Sequence, residues 1–85
     1  YWGAYAVSKA GLETMVRTYA AETAKTAVRA NLIDPGPTRT RMRMTAFPGE
    51  DAEALKPADD PRLIEAFISL ALPACERSGT IVQVA

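Results

Sequence analysis

Histidine is absent from the sequence, and cysteine occurs once, as Cys75. The first absence removes the commonest general base and metal ligand. The second rules out an intramolecular disulfide, and a reducing, cytoplasmic setting fits better than a secreted scaffold. Charge of one sign is also missing: 10 lysines and arginines balance 10 aspartates and glutamates, so nothing electrostatic argues for nucleic acid or an anionic membrane surface as partner. No uninterrupted apolar run approaches the ~20 residues that cross a bilayer. The opening Tyr1-Trp2-Gly3 has no initiator methionine and no basic segment leading into an apolar one, so neither a membrane span nor a signal peptide is expected, and the chain reads as part of a longer protein. Without histidine, and with no carboxylate pattern resembling a calcium loop, no metal site is expected either. What remains is an ordinary globular composition, 48% hydrophobic and 24% charged in 85 residues, enough for one modest core over residues 1–85.

Proline and glycine punctuate the chain unevenly. From about Tyr5 to about Thr26 there is no proline and only Gly11, and Met15, Val16, Tyr19 and Ala20 recur at helical spacing, which predicts a long helix. Val28 to Ile33 then runs into Asp34-Pro35-Gly36-Pro37, a strand ending in a turn. Thr38 to Ala58 reads as loop with one or two short helical turns at most. Asp60-Pro61 supplies an N-cap and a first-turn proline for a second helix, whose apolar positions Leu63, Ile64, Phe67, Ile68, Ala71 and Leu72 continue to Pro73. Thr80 to Val84 is a short closing strand. Helix, strand, loop, helix, strand is an α/β order, and two strands joined through a helix form most simply a right-handed parallel unit. A parallel sheet needs both faces covered, so this segment calls for more sheet than it contains.

The residues with chemistry stand at the start of the first helix. Tyr5 and Lys9 are four apart, so their side chains project from one face. A phenol is a poor base near neutrality, but an ammonium about 4 Å away favours the phenolate by roughly 4 kcal/mol at an effective dielectric near 20. Such a pair can give a proton to a carbonyl oxygen or take one from an alcohol. The spacing alone is weak, since ordinary usage produces it in roughly one chain in ten of this length.

The setting is more specific. Tyr5-Ala6-Val7-Ser8-Lys9-Ala10-Gly11-Leu12-Glu13, with Trp2 upstream, resembles the catalytic helix of the short-chain dehydrogenase/reductase family. Val28-Arg29-Ala30-Asn31-Leu32-Ile33-Asp34-Pro35-Gly36-Pro37-Thr38-Arg39-Thr40 resembles, at the family's spacing, the strand and Pro-Gly loop at the nicotinamide end of the cofactor. Pro37 to Arg43 and Ala46-Phe47-Pro48 are similar to a group of bacterial oxidoreductases called YciK-like. The resemblance implies the C-terminal part of a Rossmann-like, doubly wound parallel sheet. It also implies an NAD- or NADP-dependent oxidoreductase acting on a small carbonyl or alcohol.

By the same resemblance, Tyr5 is the catalytic acid/base, and Lys9 tunes it and holds the ribose hydroxyls. Pro35 and Gly36 shape the cofactor loop, Thr38 makes main-chain contacts to the carboxamide, and Thr40 contributes a hydroxyl. Met42, Met44 and Phe47 fall where the family puts its substrate loop, so they line an apolar pocket or pack a flap onto the body. Asn31, on the strand, is structural. Arg39, Arg41 and Arg43 read as solvated surface charge, and Glu50, Asp51 and Glu53 as helix-start and surface acids. The family's first helix pairs with its mate in another subunit, implying a homodimer or homotetramer. The glycine-rich phosphate loop and the catalytic serine do not occur here, so the segment alone is expected to be inactive. The competing reading is a non-catalytic or truncated member that keeps the fold for binding or assembly.

Overall fold

The proline-free opening folds as helix α1, Gly3–Glu22, in a computed structural model that describes residues 2–84. It starts and stops earlier than the expected Tyr5–Thr26 span. Its end is set by Thr23, whose hydroxyl donates to the Tyr19 carbonyl at 2.8 Å, and by Thr26, whose hydroxyl donates to the Thr23 carbonyl at 2.6 Å. Such local bonds compete with continuation of the helix. Glu13, Val16 and Ala20, with the C-cap Thr23 continuing the same face, are the less exposed residues here, and Ala20 is the buried one.

Four short strands follow: β1, Leu32–Asp34; β2, Thr38–Arg39; β3, Lys56–Pro57; and β4, Ile81–Gln83. Helix α2, Arg41–Ala46, and a 3-10 turn at Ala52–Ala54 lie between β2 and β3; helix α3, Pro61–Ala71, lies between β3 and β4. β1 and β4 pair in parallel, with Leu32 opposite Ile81, Ile33 opposite Val82 and Asp34 opposite Gln83, as the α/β order requires. The first strand is shorter than Val28–Ile33 and lies further along, because β4 begins only at Ile81. Before that point the two segments are tied differently. Gly79 N–H donates to the Ala30 carbonyl at 2.7 Å, and the Asn31 side chain spans the Arg77 carbonyl and both donors of Thr80. Asn31 is thus structural, as its position suggested.

The second parallel pair, β2 with β3, sets Thr38 opposite Lys56 and Arg39 opposite Pro57, inside the stretch read from sequence as loop. Two-residue strands are too short to show alternation, and Pro57 argues against a strand except where its missing N–H faces no partner.

Helix α3 is the better specified. The Asp60 carboxylate accepts from Arg62 N–H at 2.9 Å, Pro61 occupies the first turn, and Leu72 is extended (φ −71, ψ 144) ahead of Pro73. Its Leu63 and Ala66 pack on Val84, with Ile33 and Val82 beside them. Burying one such aliphatic side chain contributes about 1.5–3 kcal/mol, so this core is slender. A radius of gyration of 15.1 Å, against about 12 Å for a compact chain of this length, and extents of 47 × 31 × 16 Å describe a thin slab. Val7, Leu12, Met15 and Tyr19 of α1, and Ile64, Phe67 and Ile68 of α3, stay exposed. Among the described residues, no helix is long and apolar enough to cross a membrane.

Candidate active site

Tyr5 and Lys9 sit on consecutive turns at the start of α1, and the Lys9 ammonium lies over the Tyr5 ring, 5.5 Å from its centroid. The structure therefore joins them on one face, with the cation over the ring. Among the described residues Lys9 makes no ion pair, which leaves its three donors uncommitted. Ser8, between them, is occupied: its hydroxyl donates to the Tyr5 carbonyl at 2.8 Å. The Tyr5 ring meets Trp2 edge-on, with centroids 5.6 Å apart and planes at 81°.

The Pro35-Gly36 turn follows β1, at the edge where β1 and β4 both end. Asp34 Oδ1 accepts from Gly36 N–H at 3.1 Å, and the Thr38 hydroxyl donates to the Gly36 carbonyl at 2.9 Å. Gly36 has φ +69, and a Cβ there would fall 2.9 Å from the Val84 carbonyl oxygen, so only glycine lets the loop lie this close to β4. Lys56, passed over in the sequence, fastens the same point: its ammonium donates to the Pro35 and Val84 carbonyls. Nothing in its local sequence signals this, because the role exists only once β3 pairs with β2. Asp34, Gly36, Gln83 and Val84 line an open concavity there, at the carboxyl ends of parallel strands, where ligands of open α/β sheets bind. A larger open groove between α3 and β4, lined by Arg62, Glu65 and Ser69 among others, shares Gln83 and Val84 with it but includes neither Tyr5 and Lys9 nor the Pro35-Gly36 turn.

Thr40 caps α2, its hydroxyl oxygen accepting from Arg43 N–H at 3.1 Å, and the hydroxyl hydrogen remains free to donate. Met42 and Met44 ride on this short helix, both exposed. Arg43 departs from its sequence reading as free surface charge. Its Nε and Nη2 donate to the two Glu50 carboxylate oxygens at 2.8 and 2.9 Å. Those bonds hold the Glu50 carboxyl below the usual carboxylate range and raise Arg43 in turn. The Arg43 guanidinium lies 4.0 Å from the Phe47 ring centroid, and Phe47 stacks on Trp2 at 5.9 Å with planes 10° apart. Arg39 likewise is engaged, donating to the Ala52 carbonyl and pairing with Glu53 at 3.6 Å. Tyr5, Lys9, Trp2 and Phe47 thus form one group, and Pro35, Gly36, Thr38 and Lys56 another. Among the described residues, no hydrogen bond joins the two groups.

The chain as a whole resembles known proteins. A family model described as enoyl-(acyl carrier protein) reductase matches residues 1–63. The oxidoreductase YciK of Escherichia coli (strain K12) is 52% identical over 59 residues, covering 68% of this chain and 23% of that protein. An NADPH-dependent aldehyde reductase-like chloroplast protein of Arabidopsis thaliana is 51% identical over 41 residues, 48% of this chain and 15% of that one. The crystal structure of a short-chain dehydrogenase from Escherichia coli CFT073, complexed with NADPH, superposes with a TM-score of 0.86 at 37% identity, covering 98% of this chain and 34% of that chain. The chain therefore spans about a third of that structure's length and less of the others. With helix, Pro-Gly loop and parallel strands all matched, the chain belongs to the short-chain dehydrogenase/reductase family and is YciK-like in sequence.

Proposed function

We propose that the complete protein is an NADP(H)-dependent oxidoreductase of carbonyl or alcohol substrates, with Tyr5 as acid/base and Lys9 as its partner. The observation that carries this is the Lys9 ammonium over the half-exposed Tyr5 ring on one turn-spaced face of α1. The NADPH bound to the Escherichia coli CFT073 relative and the name of the Arabidopsis relative favour NADP(H) and an aldehyde-type carbonyl.

The residues present fit such a cofactor. Lys9 offers uncommitted donors suited to ribose hydroxyls, and the loop from Pro35 to Thr40 presents main-chain groups and the Thr40 hydroxyl at the carboxyl ends of β1 and β4. A nicotinamide held there would supply the hydride, and with it the two electrons, that reduce the carbonyl carbon. The Tyr5 hydroxyl gives its proton to the carbonyl oxygen as that oxygen gains charge, so the product is an alcohol. Lys9 brings positive charge next to the phenolate character that develops on Tyr5. In the oxidative direction Tyr5 takes the proton back.

In the complete protein, Tyr5→Phe should lower turnover by on the order of 10³-fold while dinucleotide affinity, read by calorimetry, stays within a few-fold. Lys9→Met should lower both. A Tyr5→Phe enzyme that keeps most of its turnover would overturn the assignment.

A further inference from the structure

The indole of Trp2 touches both parts of the group around Tyr5. It meets Tyr5 edge-on and lies flat against Phe47, and Phe47 carries the Arg43 guanidinium, itself held by both oxygens of Glu50. The row Tyr5, Trp2, Phe47, Arg43, Glu50 therefore runs from the first turn of α1 across the C-terminal end of α2. Trp2 occupies the N-cap of α1, where an indole has no acceptor to offer the helix N–H groups, and its side chain packs against the two rings. We propose that Trp2 and Phe47 are positioning residues that set how a carbonyl substrate reaches Tyr5. Trp2 backs the phenol ring, and Phe47 seats α2 against Trp2. This rests on the hydride-transfer reading above.

The physical reasoning starts at Tyr5, which is 48% exposed and whose phenol oxygen bonds no other described residue. A tyrosine on the first turn of a helix is otherwise free to change rotamer, and packing against a rigid ring restricts it at little entropic cost. Phe47 does the same for α2, a six-residue helix too short to hold its place alone. The Arg43–Glu50 pair fixes the guanidinium over the Phe47 ring. Met42 and Met44 travel with α2, so seating or unseating Phe47 moves the soft side chains expected along the substrate approach. The stack is exposed, with Trp2 at 55% and Phe47 at 42%, and can open to exchange substrate. Substrate affinity should then depend on the stack while cofactor affinity does not.

The test uses the complete protein, NADPH, and 4-nitrobenzaldehyde and propanal as probe substrates. Phe47→Leu should raise KM for the aldehydes about tenfold with kcat within about twofold, and leave KM for NADPH unchanged. Trp2 is this sequence's single tryptophan. Its emission, taken as the difference from a Trp2→Phe protein, should become more open to acrylamide quenching in Phe47→Leu. Phe47→Tyr keeps the ring and should restore both readouts. Should Phe47→Leu not fold, Arg43→Gln, which leaves Phe47 in place without its charged neighbour, should move both in the same direction by less. Unchanged quenching, or a loss of kcat with unchanged aldehyde KM, overturns the inference. Retained turnover in Tyr5→Phe ends the assignment of Tyr5 as acid/base instead and leaves the quenching result standing, so the two failures are distinguishable.

Discussion

Gly36 shows how much of a site can hang on one missing methyl. Its φ of +69 lies in the left-handed region, and any Cβ would sit 2.9 Å from the Val84 carbonyl oxygen, with the Lys56 ammonium next at 3.5 Å. The two penalties act together, since a side chain meets a strained backbone and also a strand that cannot move without disturbing the core at Val84. Gly36→Ala should therefore cost about 1–3 kcal/mol, measured by denaturant unfolding of the complete protein, and should weaken dinucleotide binding because the loop is lifted off β4. An alanine variant as stable as the parent, with unchanged binding, would mean that the turn is free to relax. Lys56 belongs to the same argument. Its ammonium ties the carbonyls at the two strand ends, Pro35 and Val84, and so holds the turn where Gly36 permits it to lie.

At the scale of elements, α3 and the Arg43–Glu50 latch both depend on carboxylates. The Arg62 side chain and N–H hold Asp60 below the usual carboxylate range, and Arg43 does so for Glu50. A folded-state value below the unfolded one means that each group's contribution is complete above the unfolded value, about 4, and is lost as pH falls through the folded value. Unfolding temperature should thus fall on acidification below pH about 4. Asp60→Asn keeps the capping acceptor and should hold the neutral-pH midpoint while flattening part of that acid limb; Asp60→Ala should lower the midpoint at neutral pH by a few degrees. An acid limb that is the same in Asp60→Asn and parent would remove Asp60 from the account. The contrast between elements also explains what the sequence could reveal. Asp60-Pro61 and the apolar spacing after it fix α3 locally, and Tyr5 with Lys9 needs only a helix to share a face. β2 and β3 were invisible because each exists only through the other. Lys56 and the Trp2–Phe47 stack were missed for the same reason, since their partners lie far away in sequence.

For the whole molecule the governing fact is thinness. Val16 and Ala20 of α1 turn toward the body, yet Val7 is 73% exposed, Met15 62%, Tyr19 49% and Leu12 46%, so the helix carries a second apolar face that this chain does not cover. Burying a few hundred Å² of such surface at about 25 cal/mol per Å² is worth on the order of 10 kcal/mol. That is comparable with the roughly 4–15 kcal/mol that association costs, so α1 alone makes at best a weak pairing and needs further surface for a stable one. We accordingly expect the complete protein to form a dimer or tetramer that includes this face. The isolated 85-residue chain should either self-associate in a concentration-dependent way or remain poorly folded. Sedimentation velocity reads both. In the complete protein, Val7→Asp with Met15→Glu places two charges on the uncovered face and should shift the species toward monomer, with the circular dichroism of α1 retained, because neither side chain supports the core. A compact, cooperatively folded monomer of the isolated chain at micromolar concentration would contradict this, as would a complete protein whose assembly ignores both substitutions. Either result would mean that the slender core around Leu63, Ala66 and Val84 is more self-sufficient than its burial suggests.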